Sequence, residues 1–562
     1  QHLELGMRTI PTFIVGHMSG QNWDPVWRNN RKMFADVWFV GRQAWYVREL
    51  TKRFATHPAV DAWLLTNEIP IYGDFAPGSP PANADDVEAW AQILVDAVRA
   101  GGGHQPVSIG DGAWGVEVTG ADNGFRIRRL EPLIDFHGPH VYRMETDPVR
   151  QNLGAAFICE LLSIGQKPVI LEEFGLTTDY VSEENASHFY RQTLHNTLLA
   201  GCTGWLAWNN TDYDSLRAVE PYIHHPFEMH FGLTDQSGRP KRHALEVQQF
   251  AQTAASVGFS RLERPDADVA IVVSAFLEKQ FPSTSEQDST VIFEIARQSY
   301  IAAREADLAV GLAREADGIP DDCSLYIVPS TKHLTAPSWH ELHRLASEGA
   351  IVYASAFLGE HDVQRGLWWT DVDEFFGVRR TTRYGLVDPV LDDTVVLTFE
   401  AELGSLRVGD QLSFAAAGNQ NSRAFLRVEE NGAQVLARDQ HGNPALLRHV
   451  VGAGSMILGT FPFEYFAART PFVNPEPTYR LYEAMAQEAD VVRELSVDDP
   501  RVLCATMSRD DGARFGWLVS QHGEPCDVVP NSDFGICTLD GDPLRSVALA
   551  PYGVEIVRLV SG

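Results

Sequence analysis

Glu68, in WLLTNEIP, and Glu173, in KPVILEEFG, each close a short apolar run. Two carboxyls presented this way suit displacement at an acetal carbon, where one acid protonates the departing oxygen and one carboxylate attacks. Asn67 directly precedes the first acid, and alone such an Asn is equally a turn signal. Here TNE follows an apolar run, and a helix-rich stretch sets the second acid about three βα units further on. His17, His140, Tyr142 and Trp208 also lie at or just past the ends of apolar runs. Polar and aromatic residues in that position gather at one face of a (β/α)8 barrel, the face that carries its active site.

The elements that must position them alternate. Strand-like runs at 9–15, 62–66, 107–110, 135–141, 168–171 and 204–208 are separated by helical patterns such as VWFVGRQAWYVRELTKRFA and DDVEAWAQILVDAVRA. Alternation of this kind predicts an α/β fold with parallel strands over 1–260. A closed barrel needs eight strand-helix units, and six are present. At roughly 30 residues per unit, about 60 to 80 residues would be absent at the front, so the barrel is expected to lack its first two βα units and the native product to be longer. A second α/β segment, 261–493, opens with ADVAIVVSAF and predicts a flavodoxin-like doubly wound sheet, with a β-rich insertion over 360–450. Residues 494–562 read as a small antiparallel β domain, β-sandwich-like.

A chain of 562 residues exceeds what one core supports, so two to four domains are expected. Its net charge of -30 argues against nucleic acid and anionic membrane surfaces as partners, and no apolar run is long enough to span a bilayer. A neutral sugar would not be repelled. Six scattered cysteines without a C-x-x-C pair suggest free thiols and a cytoplasmic location, although Cys526 and Cys537 would be close enough in sequence to bridge in a secreted protein. The opening stretch has neither an initiator Met nor a signal-peptide pattern, which again suggests a missing upstream segment.

LLTNE, GPHVY, PVILEEFG and GWLAWNNTDYD resemble strands 4, 6, 7 and 8 of clan A retaining glycoside hydrolases, particularly family 5. FIVGHMSGQNWDPVW resembles strand 3 and its loop in the β-mannosidase-like branch. Carried over by position, the resemblance implies Glu68 as acid/base and Glu173 as nucleophile. It also implies Asn67 as partner of the sugar 2-hydroxyl, His140 and Tyr142 as the pair flanking the nucleophile, and Trp208 as the stacking platform. His17 and Trp23 would line the pocket. Glu172 is the rival nucleophile, and strand alternation argues that only one of the two neighbours faces the barrel mouth. Asn210 or Asp212 would add polar contacts, or else sit in a solvated loop.

No metal or organic cofactor is required by this chemistry. His224, His225 and His230, with Glu228, could be read as metal ligands, but Pro226 interrupts the helical spacing of a zinc site, and a loop closing the pocket is the better reading. The middle segment resembles the amidotransferase-like trimerisation domain of family 42 β-galactosidases, which implies a homo-oligomer. Cys323 precedes a strand rather than sitting on a strand-to-helix turn, so amidotransferase chemistry is not expected there. The resemblance as a whole implies a retaining exo-β-glycosidase, a β-mannosidase first, with β-galactosidase and endo-β-1,4-mannanase as alternatives. From another class, a non-catalytic carbohydrate-binding or assembly protein remains the competing expectation.

Overall fold

The computed structural model describes residues 2–72, 81–142, 144–279, 281, 285–362, 365–381, 388–472 and 474–561. The chain divides into two compact units, one of residues 1–143 with 158–251 and one of residues 144–157 with 252–562.

In the first unit the strands β1 (Thr12–Val15), β2 (Trp63–Asn67) and β3 (Val107–Ser108) form one parallel sheet in chain order. A second parallel sheet holds β4 (His140–Val141), β5 (Val169–Phe174) and β6 (Cys202–Ala207), again in chain order. A parallel bridge between Gly112 and Pro139 connects the two sheets just before His140. Three strands are shorter than the apolar runs predict: β1 begins only at Thr12, β3 ends at Ser108 and β4 begins only at His140. Among the described residues, β1 and β6 each pair along one edge only.

The helices form where side-chain caps and apolar spacing agree. Val37–Phe54 starts on Asp36, whose carboxylate accepts from the Phe39 amide at 2.9 Å, and it buries Phe39, Val40, Gln43, Val47 and Thr51 at helical spacing. Ala84–Ala100 is capped by Asn83 and Glu183–Leu199 by Ser182. The inner faces of Val37–Phe54 and Ala84–Ala100 pack on an aromatic core in which Phe13 stacks on Trp63 at 5.0 Å and Trp90 meets Phe34 and Phe125 edge-on. The outer face of Val37–Phe54 differs: Trp38, Trp45 and Tyr46 are roughly half exposed and line an apolar cavity of about 410 Å³ together with Trp23, Trp27 and Tyr72.

The second unit is built on a nine-stranded sheet. Five parallel strands come first, in the spatial order Val310–Arg314, Val269–Val273, Leu325–Thr331, Ile351–Ala356 and Gly454–Gly459. The central ones are buried along their whole length, as their unbroken apolar runs require. Pro444–Val451, Gln434–Arg438, Thr394–Phe399 and Gln411–Ala415 then extend the same sheet as antiparallel strands. The C-terminal segment forms a five-stranded antiparallel sheet around Arg514–Ser520, closed on one edge by Leu262–Glu263. No disulfide joins the six cysteines, and Cys526 and Cys537 lie on different sheets. No described helix is long and apolar enough to cross a membrane.

Candidate active site

Strand β2 is buried through Thr66 and delivers Asn67 and Glu68 at its C-terminal end. Glu68 turns out of the strand in the left-handed region, φ 47°, which a residue with a side chain adopts at a cost that its surroundings must offset. The Glu68 amide donates to the Gly110 carbonyl at 2.8 Å, and Gly110, at φ 74°, approaches the Thr66 carbonyl so closely that a Cβ would collide with it. Glycine is therefore required to fix the acid.

On the other sheet His140 lies in register with Glu173. Its Nδ1 stands 3.0 Å from Glu68 Oε1 and 3.5 Å from Glu173 Oε2, while Nε2 is 3.3 Å from Glu172 Oε2. The Tyr142 hydroxyl donates to Glu173 Oε2 at 2.9 Å. Glu68, His140 and Glu173 each offer an atom within 4.8 Å of the others, so two carboxyls from separate sheets meet across a single imidazole.

Simple strand alternation does not hold at Glu172 and Glu173. Both amides turn to the same Pro139 carbonyl, at 3.0 and 3.4 Å, and the register with β6 shifts between Leu171 and Phe174. Two residues opposing one is a β-bulge, which re-aims side chains that a regular strand would send to opposite faces. As a result both acids reach His140, from its two sides. Their exposure separates them: the Glu172 side chain is 2% exposed and Glu173 15%, so only Glu173 is open to an attacking role.

Burial works against a charge on His140, but Glu173, Glu172 and Glu68 outweigh it and push its pKa up to about 10. Burial raises Glu173 to about 7; His140 opposes this, Glu68 adds to it, and the Tyr142 hydrogen bond opposes it. The acid expected to stay ionised thus titrates near neutrality. Were Glu173 the attacking group, only its carboxylate could attack, and kcat/KM should rise with pH through this pKa. Removing the Tyr142 hydroxyl removes a group that lowers it, and Tyr142→Phe should move the acid limb of the profile to higher pH by about one unit. A shift to lower pH in that variant would contradict the assignment.

The other anticipated residues divide. His17 Nε2 is 3.9 Å from Glu68 Oε2, and its carbonyl accepts from Asn67 Nδ2 at 2.9 Å, which fixes that amide beside the acids. Trp208 donates through Nε1 to Glu228 Oε2 at 3.3 Å. Trp23 lines the aromatic cavity beside Val37–Phe54. Asp111 was missed as a neighbour of the site, whereas Glu228 was read as part of a loop closing the pocket, without a contact of its own. Burial raises Glu228, and burial with the adjacent Glu172 raises Asp111 to about 6. An acid in GDGAW, just beyond the strand-like run at 107–110, was the available signal for Asp111.

Asp212 is neither a sugar contact nor part of a solvated loop. Lys241 Nζ lies 2.8 and 2.7 Å from its two oxygens, and both side chains are buried. Lys241 also donates to Thr178 Oγ1 and the His230 carbonyl, and Asp212 takes the Gly232 amide. Lys241→Met would leave a buried, unpaired carboxylate, and we expect it to cost about 3–5 kcal/mol in urea unfolding, most of it restored by adding Asp212→Leu.

The residues read as an alternative metal set turn apart. His224 pairs with Glu220 and with His225, His230 bonds Asp179 and Asp214, and Glu228 bonds Trp208. Glu68, His140 and Glu173 are close enough together for a cation. Both His140 nitrogens face carboxylates, however, an arrangement that favours a proton on each over a lone pair given to a cation. In the second unit, burial and then Asp322 and Asp268 push the Cys323 thiol up to about 12, far from a nucleophile's range.

No family model matches the chain. It is 23% identical over 202 residues to mannan endo-1,4-β-mannosidase F of Aspergillus fumigatus, a match covering 34% of this chain and 42% of that protein. The chain thus spans less than half the length of that relative. Among solved structures it resembles an exo-β-1,4-mannosidase from an Opitutaceae bacterium, strain TAV5, with TM-score 0.65 and 22% identity over 87% of this chain and 84% of that one. It also resembles a catalytic mutant of a family 42 β-galactosidase from G. stearothermophilus, with TM-score 0.69 and 13% identity over 99% and 89% of the two chains. At these identities the likeness is one of fold. The resemblance carried by the four strand-end motifs and the middle domain agrees with it, since these relatives and neighbours are glycoside hydrolases.

Proposed function

We propose that the protein is a retaining β-glycosidase that hydrolyses terminal β-linked sugars by double displacement, with β-mannosides as the preferred substrates. The observation that carries the reading is the approach of Glu68 and Glu173 to within 4.8 Å, each beside His140 Nδ1. Retaining enzymes hold their carboxyls about 5–5.5 Å apart, whereas inverting ones leave about 6.5–9.5 Å for a water. Glu173 attacks the anomeric carbon as Glu68 gives its proton to the departing oxygen. Water, deprotonated by Glu68, then hydrolyses the glycosyl-enzyme. The Asn67 carbonyl oxygen accepts the sugar 2-hydroxyl, and Trp208 offers an aromatic face to the ring.

Among the described residues the unpaired edges of β1 and β6 and the exposed aromatics of Val37–Phe54 are the surfaces that further βα units of a closed barrel would cover. Mannose is favoured over galactose by the mannanase relative and the exo-mannosidase neighbour. The β-galactosidase reading is supported by a fold likeness that extends over almost the whole chain.

A panel of nitrophenyl β-glycosides, with the product anomer followed by NMR, tests the proposal. The β-mannoside should give the highest kcat/KM and a β product first. Preference for the galactoside would transfer the assignment to that sugar, faster cleavage of manno-oligosaccharides at internal bonds would make the protein an endo-mannanase, and binding of sugars without turnover would make it a carbohydrate-binding protein.

A further inference from the structure

We infer that Glu172 is a positioning residue that keeps His140 doubly protonated, so that one fixed Nδ1–H serves Glu173 and Glu68 in turn. Glu172 is sealed from solvent and cannot touch a sugar. A buried carboxylate is costly unless paired, and the partner its Oε2 meets is His140 Nε2, while Oε1 is buried with no hydrogen bond. Space for it is provided by Gly138, where a Cβ would fall on the Glu172 carboxylate. An acid held at this cost and outside the reacting centre acts through the ring it faces.

The groups around His140 are Glu68 at the end of β2, Glu172 and Glu173 on β5, and Asp111 after β3, with His17 and Tyr142 next beyond them. When Glu173 attacks, its negative charge is consumed in the new C–O bond, and a negative charge appears on Glu68 as that acid's proton leaves with the aglycone. The second half of the cycle reverses this. His140 Nδ1 stands beside both oxygens, at 3.5 and 3.0 Å, so the same N–H faces whichever carboxyl is charged. A neutral ring would keep its proton on Nε2 for Glu172 and turn a lone pair at Nδ1 toward both acids. The charge on Glu172 opposes that loss and holds the ring as a cation through the cycle.

The inference rests on the proposed glycosidase only for its kinetic part, because the protonation state of His140 is measurable without turnover. Histidine-labelled NMR, with the His140 signal assigned by its loss in His140→Asn, should show a ring charged on both nitrogens at pH 7 in the native protein. In Glu172→Gln the same signal should titrate about 1 to 3 pH units lower. That variant should lose about tenfold or more in kcat with KM within about twofold, and the alkaline limb of its profile should move to lower pH. An unchanged His140 titration in Glu172→Gln overturns the inference. A neutral His140 at pH 7 in the native protein overturns it as well, so the test survives a variant that fails to fold. The predicted NMR shift without turnover in either protein would support the role of Glu172 and count against the proposed activity instead.

Discussion

Glu173→Gln is expected to lower kcat/KM by about 10⁴-fold or more, with KM little changed. The amide keeps the shape of the side chain and can still accept the Tyr142 hydroxyl, but it cannot form the glycosyl ester. Folding should not suffer. Three carboxyls crowd one imidazole, and burial already pushes Glu173 up to about 7, so a neutral side chain there relieves like-charge repulsion. A thermal midpoint at or above that of the native protein is therefore expected alongside the lost activity. Shortening the same residue to Ala opens a hole on the attacking side, and added azide should then react directly to give the glycosyl azide of inverted configuration. Residual activity within tenfold of the native protein would remove Glu173 as nucleophile.

The placement of the acid pair was legible because each acid follows a short apolar run in the sequence, as residues at the C-terminal ends of barrel strands do. The parallel αβ alternation was legible for the same reason, from periodicities that change between strand and helix. What was not legible depends on contacts between segments. Alternation of side chains predicted opposite faces for Glu172 and Glu173, but the bulge arises because two amides share the Pro139 carbonyl, and no local pattern specifies that choice. Asp212 looked like a loop acid because its partner, Lys241, stands on the far side of an irregular segment. Trp23 was expected to line the pocket, and its contact with the cavity beside Val37–Phe54 was not readable from its loop. In each case the residue type was informative and the partner was not.

Glu68→Ala should divide its effect by leaving group, which no purely structural role would do. An alkyl or sugar aglycone needs the proton that Glu68 supplies, so its cleavage should fall about 10²- to 10⁴-fold. A dinitrophenolate departs without one, so Glu173 can still attack. The glycosyl-enzyme then forms at near-native rate and accumulates, because the water of the second step has lost its base. A burst of phenolate followed by a slow steady state is the expected trace, with an apparent KM well below that of the native protein. Azide, which needs no deprotonation, should restore turnover and give a glycosyl azide of retained configuration, opposite to the product from Glu173→Ala. The two variants together therefore assign the faces of the sugar to the two acids. Equal losses for both leaving groups would mean that Glu68 supports the site through its contacts with His140 and His17 rather than by moving a proton.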